Sequence, residues 1–186
     1  MKKNDFLNNF GTLQAPKLLV ELLDFSNTIP DNHRFSMGFE FMIDKEKHML
    51  ASYSEDEDFL TSFYEFAYAD GSGSTYALWL QDRDKTLDES PIVAFGSEGG
   101  YHIIARNMVD FLQILTYDVD PMIDWEDIYY YKDEPNYEQS PYNNSFIQWL
   151  EDKFNLSSVV NADTIVQRTK NILQQDFNDW MKQYYS

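Results

Sequence analysis

Residues 63–80 read Phe-Tyr-Glu-Phe-Ala-Tyr-Ala-Asp-Gly-Ser-Gly-Ser-Thr-Tyr-Ala-Leu-Trp-Leu and predict a β-hairpin. Aromatic residues, which favour strands, are frequent in both halves of this stretch, at 63–69 and at 75–80. Asp70-Gly71 begins the short polar segment between the halves, and Asp-Gly is a strong hairpin-turn signal. The stretch therefore predicts two strands joined by a tight turn.

Two more strands are predicted downstream of this hairpin. Residues 91–95 form an apolar run that ends at Gly96. The pair Gly99-Gly100 then turns the chain into residues 101–105, which also have the composition of a strand. We expect these two strands to continue the sheet.

The chain upstream of the hairpin predicts one helix and two strands. Apolar residues recur at helical spacing over 16–25, which begins with a proline suited to a first helical turn. Over 35–43 the apolar residues alternate instead, which is the period of a strand with one buried face. A further strand is expected near 48–54. The acidic run 55–58 is expected to be a solvated loop or the start of a helix.

Helices are predicted after the last strand. Asn107 is a favourable N-cap residue, and the negative charge of Asp110 suits the positive end of a helix. The apolar stripe of this helix comprises Met108, Phe111, Leu112 and Leu115. Two more helices are expected to make residues 145–186 a C-terminal helical extension, the second of them capped by Asn161 or Asp163.

Composition favours a single domain over residues 1–186. Of the 186 residues, 43% are hydrophobic and 17% aromatic, which is enough to form a core. The absence of cysteine excludes disulfides and thiol chemistry. A net charge of −18 disfavours binding to nucleic acids and to anionic membranes. Because there is neither an apolar leader nor a run long enough to span a bilayer, we expect a soluble, cytoplasmic protein.

The negative charge is concentrated in the middle of the chain. Residues 51–140 hold 20 acidic residues against 4 Lys and Arg, whereas the flanking segments are almost neutral. This charge either serves solubility or marks a surface that binds a partner. Within the block, residues 117–144 predict a long acidic, tyrosine-rich loop with one short helix near 121–130. Tyrosines beside carboxylates are common in protein-recognition surfaces, so we expect partner contacts at Asp118, Asp120, Asp124, Glu126, Asp127, Tyr129, Tyr130 and Tyr131.

No motif in the sequence predicts catalysis or metal binding. A calcium loop of the EF-hand type that begins at Asp118 would need other residues at Met122, Ile123 and Tyr129. The turn that begins at Asp70 lacks the Gly-Lys ending of a phosphate-binding loop. The three histidines lie far apart in sequence, at His33, His48 and His102. We therefore expect no catalytic residue, no metal and no cofactor.

A series of short motifs runs from the predicted hairpin to the helix that follows the last strand. It comprises the turn at Gly73, Tyr76-Ala77-Leu78-Trp79, Pro91-Ile92-Val93, Phe95-Gly96, Glu98-Gly99, Ile104-Ala105, and Asn107 before Phe111-Leu112 and Leu115. In this order the motifs resemble the SUKH superfamily, which includes SMI1/KNR4-like proteins and many bacterial immunity proteins. The resemblance covers residues 61–116 and leaves 117–186 unmatched.

The resemblance implies an α+β fold in which helices pack around a mixed, mostly antiparallel sheet. It also implies a protein that is not an enzyme and that neutralises a cognate toxin inside the cell by direct binding. A basic nuclease toxin suits the acidic surface, since opposite charges steer association. Two alternatives remain open: a regulatory or scaffold module of cell-wall synthesis with a non-toxin partner, and a small enzyme with an unrecognised carboxylate site.

Overall fold

A five-stranded sheet with the strand order β1-β2-β3-β4-β5 forms the centre of the molecule, as residues 1–81 and 86–184 of the computed structural model describe it. Its strands are β1 (Glu40–Phe41), β2 (Phe63–Tyr68), β3 (Thr75–Trp79), β4 (Ile92–Phe95) and β5 (Tyr101–Ala105). A separate small sheet pairs β6 (Met122–Ile123) with β7 (Ile128–Tyr129). All the strand pairs in the described part of the chain are antiparallel.

Helices pack on both faces of the main sheet, which makes the fold α+β, as expected. In the described residues they are α1 (Lys3–Leu7), α2 (Lys17–Ser26), α3 (His48–Tyr53), α4 (Glu57–Ser62), α5 (Met108–Leu115), α6 (Asn143–Phe154) and α7 (Asp163–Met181). Within residues 1–81 and 86–184, none of the helices combines the length and the apolar character that a membrane crossing requires.

The two faces of the sheet bury different hydrophobic clusters, because side chains of a strand alternate between its faces. Phe66 and Leu78 point to one cluster, which also contains buried residues of α2, α5 and α6. Phe63 and Phe95 point to the other cluster, which contains buried residues of α3, α4 and α7. Since α7 contributes Phe177 to this second cluster, the C-terminal extension is part of the core.

The predicted strands from the central hairpin to β5 are confirmed, as are the helix near 16–25 and the helix after Asn107. The Asn107 side chain caps α5 by accepting a hydrogen bond from the Asp110 backbone N–H at 3.1 Å. The acidic run 55–58 is a helix start, in which Asp56 caps α4. At the start of α7, Asn161 accepts a hydrogen bond from the Asp163 N–H at 2.8 Å, so Asn161 is the capping side chain.

Two predicted elements are wrong, and a third forms only in part. The segment near 48–54 is helix α3 and not a strand, because the Asp44 side chain accepts hydrogen bonds from the first backbone N–H groups of the helix. Of the strand predicted over 35–43, only β1 forms. Gly38 has a φ of +73° and lies directly against the Ala69 carbonyl, so the chain bends there. In place of a short helix near 121–130, the chain forms β6 and β7.

Two parts of the predicted organisation reach beyond the described residues. A polar insert separates β3 from β4, and its residues 82–85 lie outside the described residues, as do the last two residues of the C-terminal extension. The described end of the insert contains a short 3₁₀ helix, Leu87–Glu89.

Candidate functional site

The β6–β7 hairpin (Met122–Tyr129) lies against the turn between β4 and β5, and this turn requires glycine. A Cβ atom on Gly99, whose φ is +107°, would lie 2.2 Å from Cζ2 of Trp125. A Cβ atom on Gly100, whose φ is +83°, would lie 2.0 Å from the carbonyl oxygen of Asp124. The two glycines therefore permit both the turn and the close approach of the hairpin.

The side chain of a buried tyrosine contacts the backbone of this turn. The hydroxyl oxygen of Tyr53, at the end of α3, lies 2.7 Å from the carbonyl oxygens of both Gly96 and Gly100. A single hydroxyl proton can be donated to either carbonyl. The turn on which the hairpin rests is thus fixed to the helix layer beneath the sheet.

Three polar contacts fasten the hairpin to β5 and α7. The His102 Nε2 atom lies 2.7 Å from the Asp124 carbonyl oxygen, which can only accept, so Nε2 carries the proton. Burial lowers the pKa of His102, and the hydrogen bond to Asp124 opposes this effect. Lys170 forms an ion pair with Asp127. The backbone N–H of Tyr130, the residue after β7, donates to the Asp163 carboxylate at 2.9 Å.

The loop of the hairpin is closed by Asp124. Its Oδ1 atom accepts hydrogen bonds at 2.8 Å from the backbone N–H groups of Glu126 and Asp127. These bonds lower the pKa of Asp124, and the hydrogen bond from Lys170 lowers the pKa of Asp127. Both carboxylates therefore remain ionised at neutral pH.

The hairpin has a buried face and an exposed face. Ile128 is buried in the core, and its cross-strand partner Ile123 packs against the same cluster. On the opposite face, Met122 is 55% exposed and its cross-strand partner Tyr129 is 43% exposed. Trp125 in the loop is 62% exposed. Large apolar side chains grouped on one exposed element, with carboxylates around them, are typical of a protein-binding surface.

Asp118 was predicted to contact a partner, and this prediction is wrong because the residue is fully buried. Its carboxylate accepts four hydrogen bonds, from Met37 N at 2.8 Å, Tyr137 Oη at 2.6 Å, Ser140 N at 2.7 Å and Ser140 Oγ at 2.6 Å. Its φ of +58° is left-handed, a conformation that aspartate tolerates better than most residues. Asp118 therefore organises the loop 117–144 from within.

The same correction applies to Tyr130, which is 3% exposed and lies with its hydroxyl 3.2 Å from that of Tyr76. It points inward because side chains alternate along the extended chain that leaves β7. Of the other predicted contact residues, Asp120 is half-buried before β6. The remaining five lie on the hairpin or just after it and are exposed: Asp124, Glu126, Asp127, Tyr129 and Tyr131.

Two exposed residues of the site, Met122 and Trp125, were missing from the sequence prediction. No local signal would have found them, because residues 121–131 show no alternation of apolar and polar residues and each of the two strands is only two residues long. Within the part of the chain that the structure describes, no three His, Asp or Glu residues come together as a metal-binding group.

Comparisons with known proteins give no match: no family model matches the chain, and no curated protein or solved structure matches it. The function is therefore argued from the exposed hairpin and from the charge of the molecule.

Proposed function

We propose that the protein is a non-enzymatic, immunity-type member of the SUKH superfamily that neutralises a cognate toxin inside the cell by binding it directly. The observation that carries the proposal is the β6–β7 hairpin, which exposes Met122, Trp125 and Tyr129 on a fixed support. The resemblance of residues 61–116 to that superfamily supports the biological role, and the hairpin supports the mode of action.

The fixed position of the hairpin favours tight binding. Aromatic and methionine side chains dominate the binding energy of many interfaces because they bury large apolar areas. The hydrogen bonds of Asp124 and the contacts with Gly99 and Gly100 order this hairpin before any partner arrives. Little conformational entropy is then lost on binding, so more of the contact energy appears as affinity.

The charge of the molecule favours a basic partner. With a net charge of −18 and the exposed acidic residues Asp124, Glu126 and Asp127 around the hairpin, association with a basic protein domain is accelerated by electrostatic steering. Nuclease domains are often basic because they bind phosphates, and an acidic protein can cover such a site. We therefore propose a basic toxin domain as the partner, with nuclease activity as the first activity to assay.

The proposal is tested by capture with matched variants. Tagged wild-type protein, a hairpin variant (Met122→Ser, Trp125→Ser, Tyr129→Ser) and a control variant (Val160→Ser, Ile172→Ser) are incubated with lysate and medium of the source cells. The control changes apolar residues that are also exposed, by 97% and 56%, but are not part of the hairpin. We expect a basic domain of a secreted protein to be retained by the wild type and the control only.

A growth assay then tests neutralisation. Cells that express the captured domain should survive when the wild type or the control variant is co-expressed and should die with the hairpin variant. Capture of a cell-wall or housekeeping factor, with no protection against a toxin, would support a regulatory module instead and would contradict the immunity proposal.

A further inference from the structure

A cleft of about 660 Å³ lies beside β1, the edge strand of the main sheet. It is lined by residues 29–35, by residues 38–41, which include β1, and by Asp70 and Gly71 of the turn between β2 and β3. Cavities that hold ligands have volumes of roughly 300–1,000 Å³, so the cleft is large enough for a short segment of polypeptide.

The hydrogen-bond pattern of β1 leaves the backbone of Phe41, a buried residue that lines the cleft, unpaired with β2. The N–H of Met42 donates to the Phe66 carbonyl oxygen at 3.0 Å, and the antiparallel register continues back through Phe41 to Glu40. In an antiparallel pair, the backbone N–H and C=O groups of every second residue point toward the same neighbouring strand. The backbone groups of Glu40, two residues before Met42, therefore also point toward β2. The N–H and C=O of Phe41 consequently point away from β2. Among the described residues, no strand pairs with this edge.

The charges around the cleft favour a basic occupant. Three carboxylates line it, those of Asp31, Glu40 and Asp70. The positive groups are the Arg34 guanidinium, which lies 3.8 Å from the Met37 sulfur, and the terminal ammonium group, which donates to Asn27. An acidic segment would be repelled by the carboxylates of the cleft and by the net charge of −18, whereas a basic segment is attracted by both.

The cleft and the hairpin adjoin. A Cβ atom on Gly38, which lines the cleft, would lie 2.6 Å from Cβ of Asp120, two residues before β6. A single partner can therefore contact the hairpin with one surface and reach the cleft with a neighbouring segment.

We infer that the cleft binds an extended, basic segment of the protein partner, which adds as a strand to the outer edge of β1. The inference rests on the proposed function for the existence of a protein partner, but it uses a different surface. The backbone of the segment would exchange hydrogen bonds with the N–H and C=O of Phe41. Its basic side chains would lie near Asp31, Glu40 and Asp70.

The test uses a synthetic peptide, acetyl-Arg-Val-Arg-Val-Arg-amide, added to the ¹⁵N-labelled full chain at up to roughly 1 mM, a concentration that reveals even weak binding. We expect the backbone amide signals of residues 38–41 to shift and the Phe41 amide to exchange more slowly with solvent. The same peptide N-methylated at every residue cannot pair with a strand and should produce no shift. Neither should acetyl-Glu-Val-Glu-Val-Glu-amide.

Protein variants separate this inference from the hairpin proposal. Glu40→Lys should weaken peptide binding at least tenfold, whereas Asp176→Lys on the exposed surface of α7 should leave it within twofold. The hairpin variant should bind the peptide as the wild type does. Absence of shifts at 38–41, or equal shifts with the N-methylated peptide, would overturn the inference and leave the hairpin proposal standing.

Discussion

At the scale of single residues, Glu65 is the most unusual carboxylate of the described chain. It is 2% exposed on β2, and its Oε1 atom accepts a hydrogen bond from Thr75 at 2.7 Å, while Oε2 has no partner within the described residues. Lys47 lies close enough to act on it electrostatically but donates its hydrogen bonds to the carbonyls of Leu60 and Phe63. Burial raises the pKa of Glu65 to about 7, and the Thr75 hydrogen bond opposes this.

The raised pKa predicts a pH-dependent loss of stability. The folded protein holds the proton more tightly than the unfolded chain, so the contribution of Glu65 is present below about pH 4.5 and is lost as the pH rises to about 7. In Glu65→Gln this loss is absent. The free energy of unfolding of the variant, relative to wild type, should therefore rise by about 3 kcal/mol between pH 4.5 and 8.

Denaturant unfolding over this pH range measures the effect. Glu151→Gln, which changes an exposed glutamate on α6, is the matched control and should differ little from wild type at any pH. If the free energy of unfolding of Glu65→Gln followed the same pH dependence as that of the wild type, the raised pKa of Glu65 would be excluded.

Asp118 yields the second prediction at this scale. In Asp118→Asn the side chain keeps its size and its tolerance of a left-handed φ, but an NH₂ group then faces two of the four donors that the carboxylate accepts. We expect a loss of roughly 3 kcal/mol or more in the free energy of unfolding, measured in urea. Asp120→Asn, at a half-buried neighbour without such bonds to the loop, should cost less than about 1 kcal/mol.

At the scale of elements, the contact between the β4–β5 turn and the β6–β7 hairpin is tested by paired glycine variants. Gly99→Ala and Gly73→Ala replace glycines of nearly equal φ, +107° and +105°, so both variants place an alanine in the left-handed region that side chains disfavour. Only the Cβ at position 99 meets Trp125, at 2.2 Å, whereas the nearest atom at position 73 is 4.0 Å away.

We therefore expect Gly99→Ala to change the tryptophan fluorescence and near-ultraviolet circular dichroism and to melt at a lower temperature than Gly73→Ala. Equal spectra and equal melting temperatures for the two variants would mean that the turn does not position the hairpin.

The elements that were predicted correctly have strong local signals. The strands on both sides of Asp70-Gly71 and the helix capped by Asn107 depend on residues close together in sequence. Helix α3 was missed because its start depends on the Asp44 carboxylate, four residues before its first residue, which accepts a hydrogen bond from the His48 backbone N–H. The alternating segment 35–43 does bury its phenylalanines, but the bend at Gly38 limits pairing to β1.

The sequence identified the segment that contains the candidate site, but not which side chains of that segment are exposed. Most of the acidic residues and tyrosines named from the sequence are exposed on or near the hairpin. Asp118 and Tyr130 are buried because residues distant in sequence, Ser140 and Tyr76, come to lie against them. Such contacts depend on tertiary packing, which composition and spacing do not reveal.

At the scale of the whole molecule, the charge of −18 predicts that salt stabilises the fold. Like charges on a compact surface repel one another, and salt screens this repulsion over distances longer than about 10 Å at 0.1 M. Raising NaCl from about 0.05 to about 0.5 M should raise the melting temperature by a few degrees in differential scanning calorimetry. A fall in melting temperature would show that the local ion pairs outweigh the overall repulsion.

The central claim is that the hairpin carries the binding of a protein partner, and the affinity of the captured partner tests it most directly. Isothermal titration calorimetry compares wild type, the Met122→Ser, Trp125→Ser, Tyr129→Ser variant and the Val160→Ser, Ile172→Ser control. Because truncating an interface hot spot costs about 2 kcal/mol or more, the hairpin variant should bind about 30-fold more weakly or worse. The control should bind within about twofold of wild type. Equal affinity of the hairpin variant and the wild type would contradict the claim.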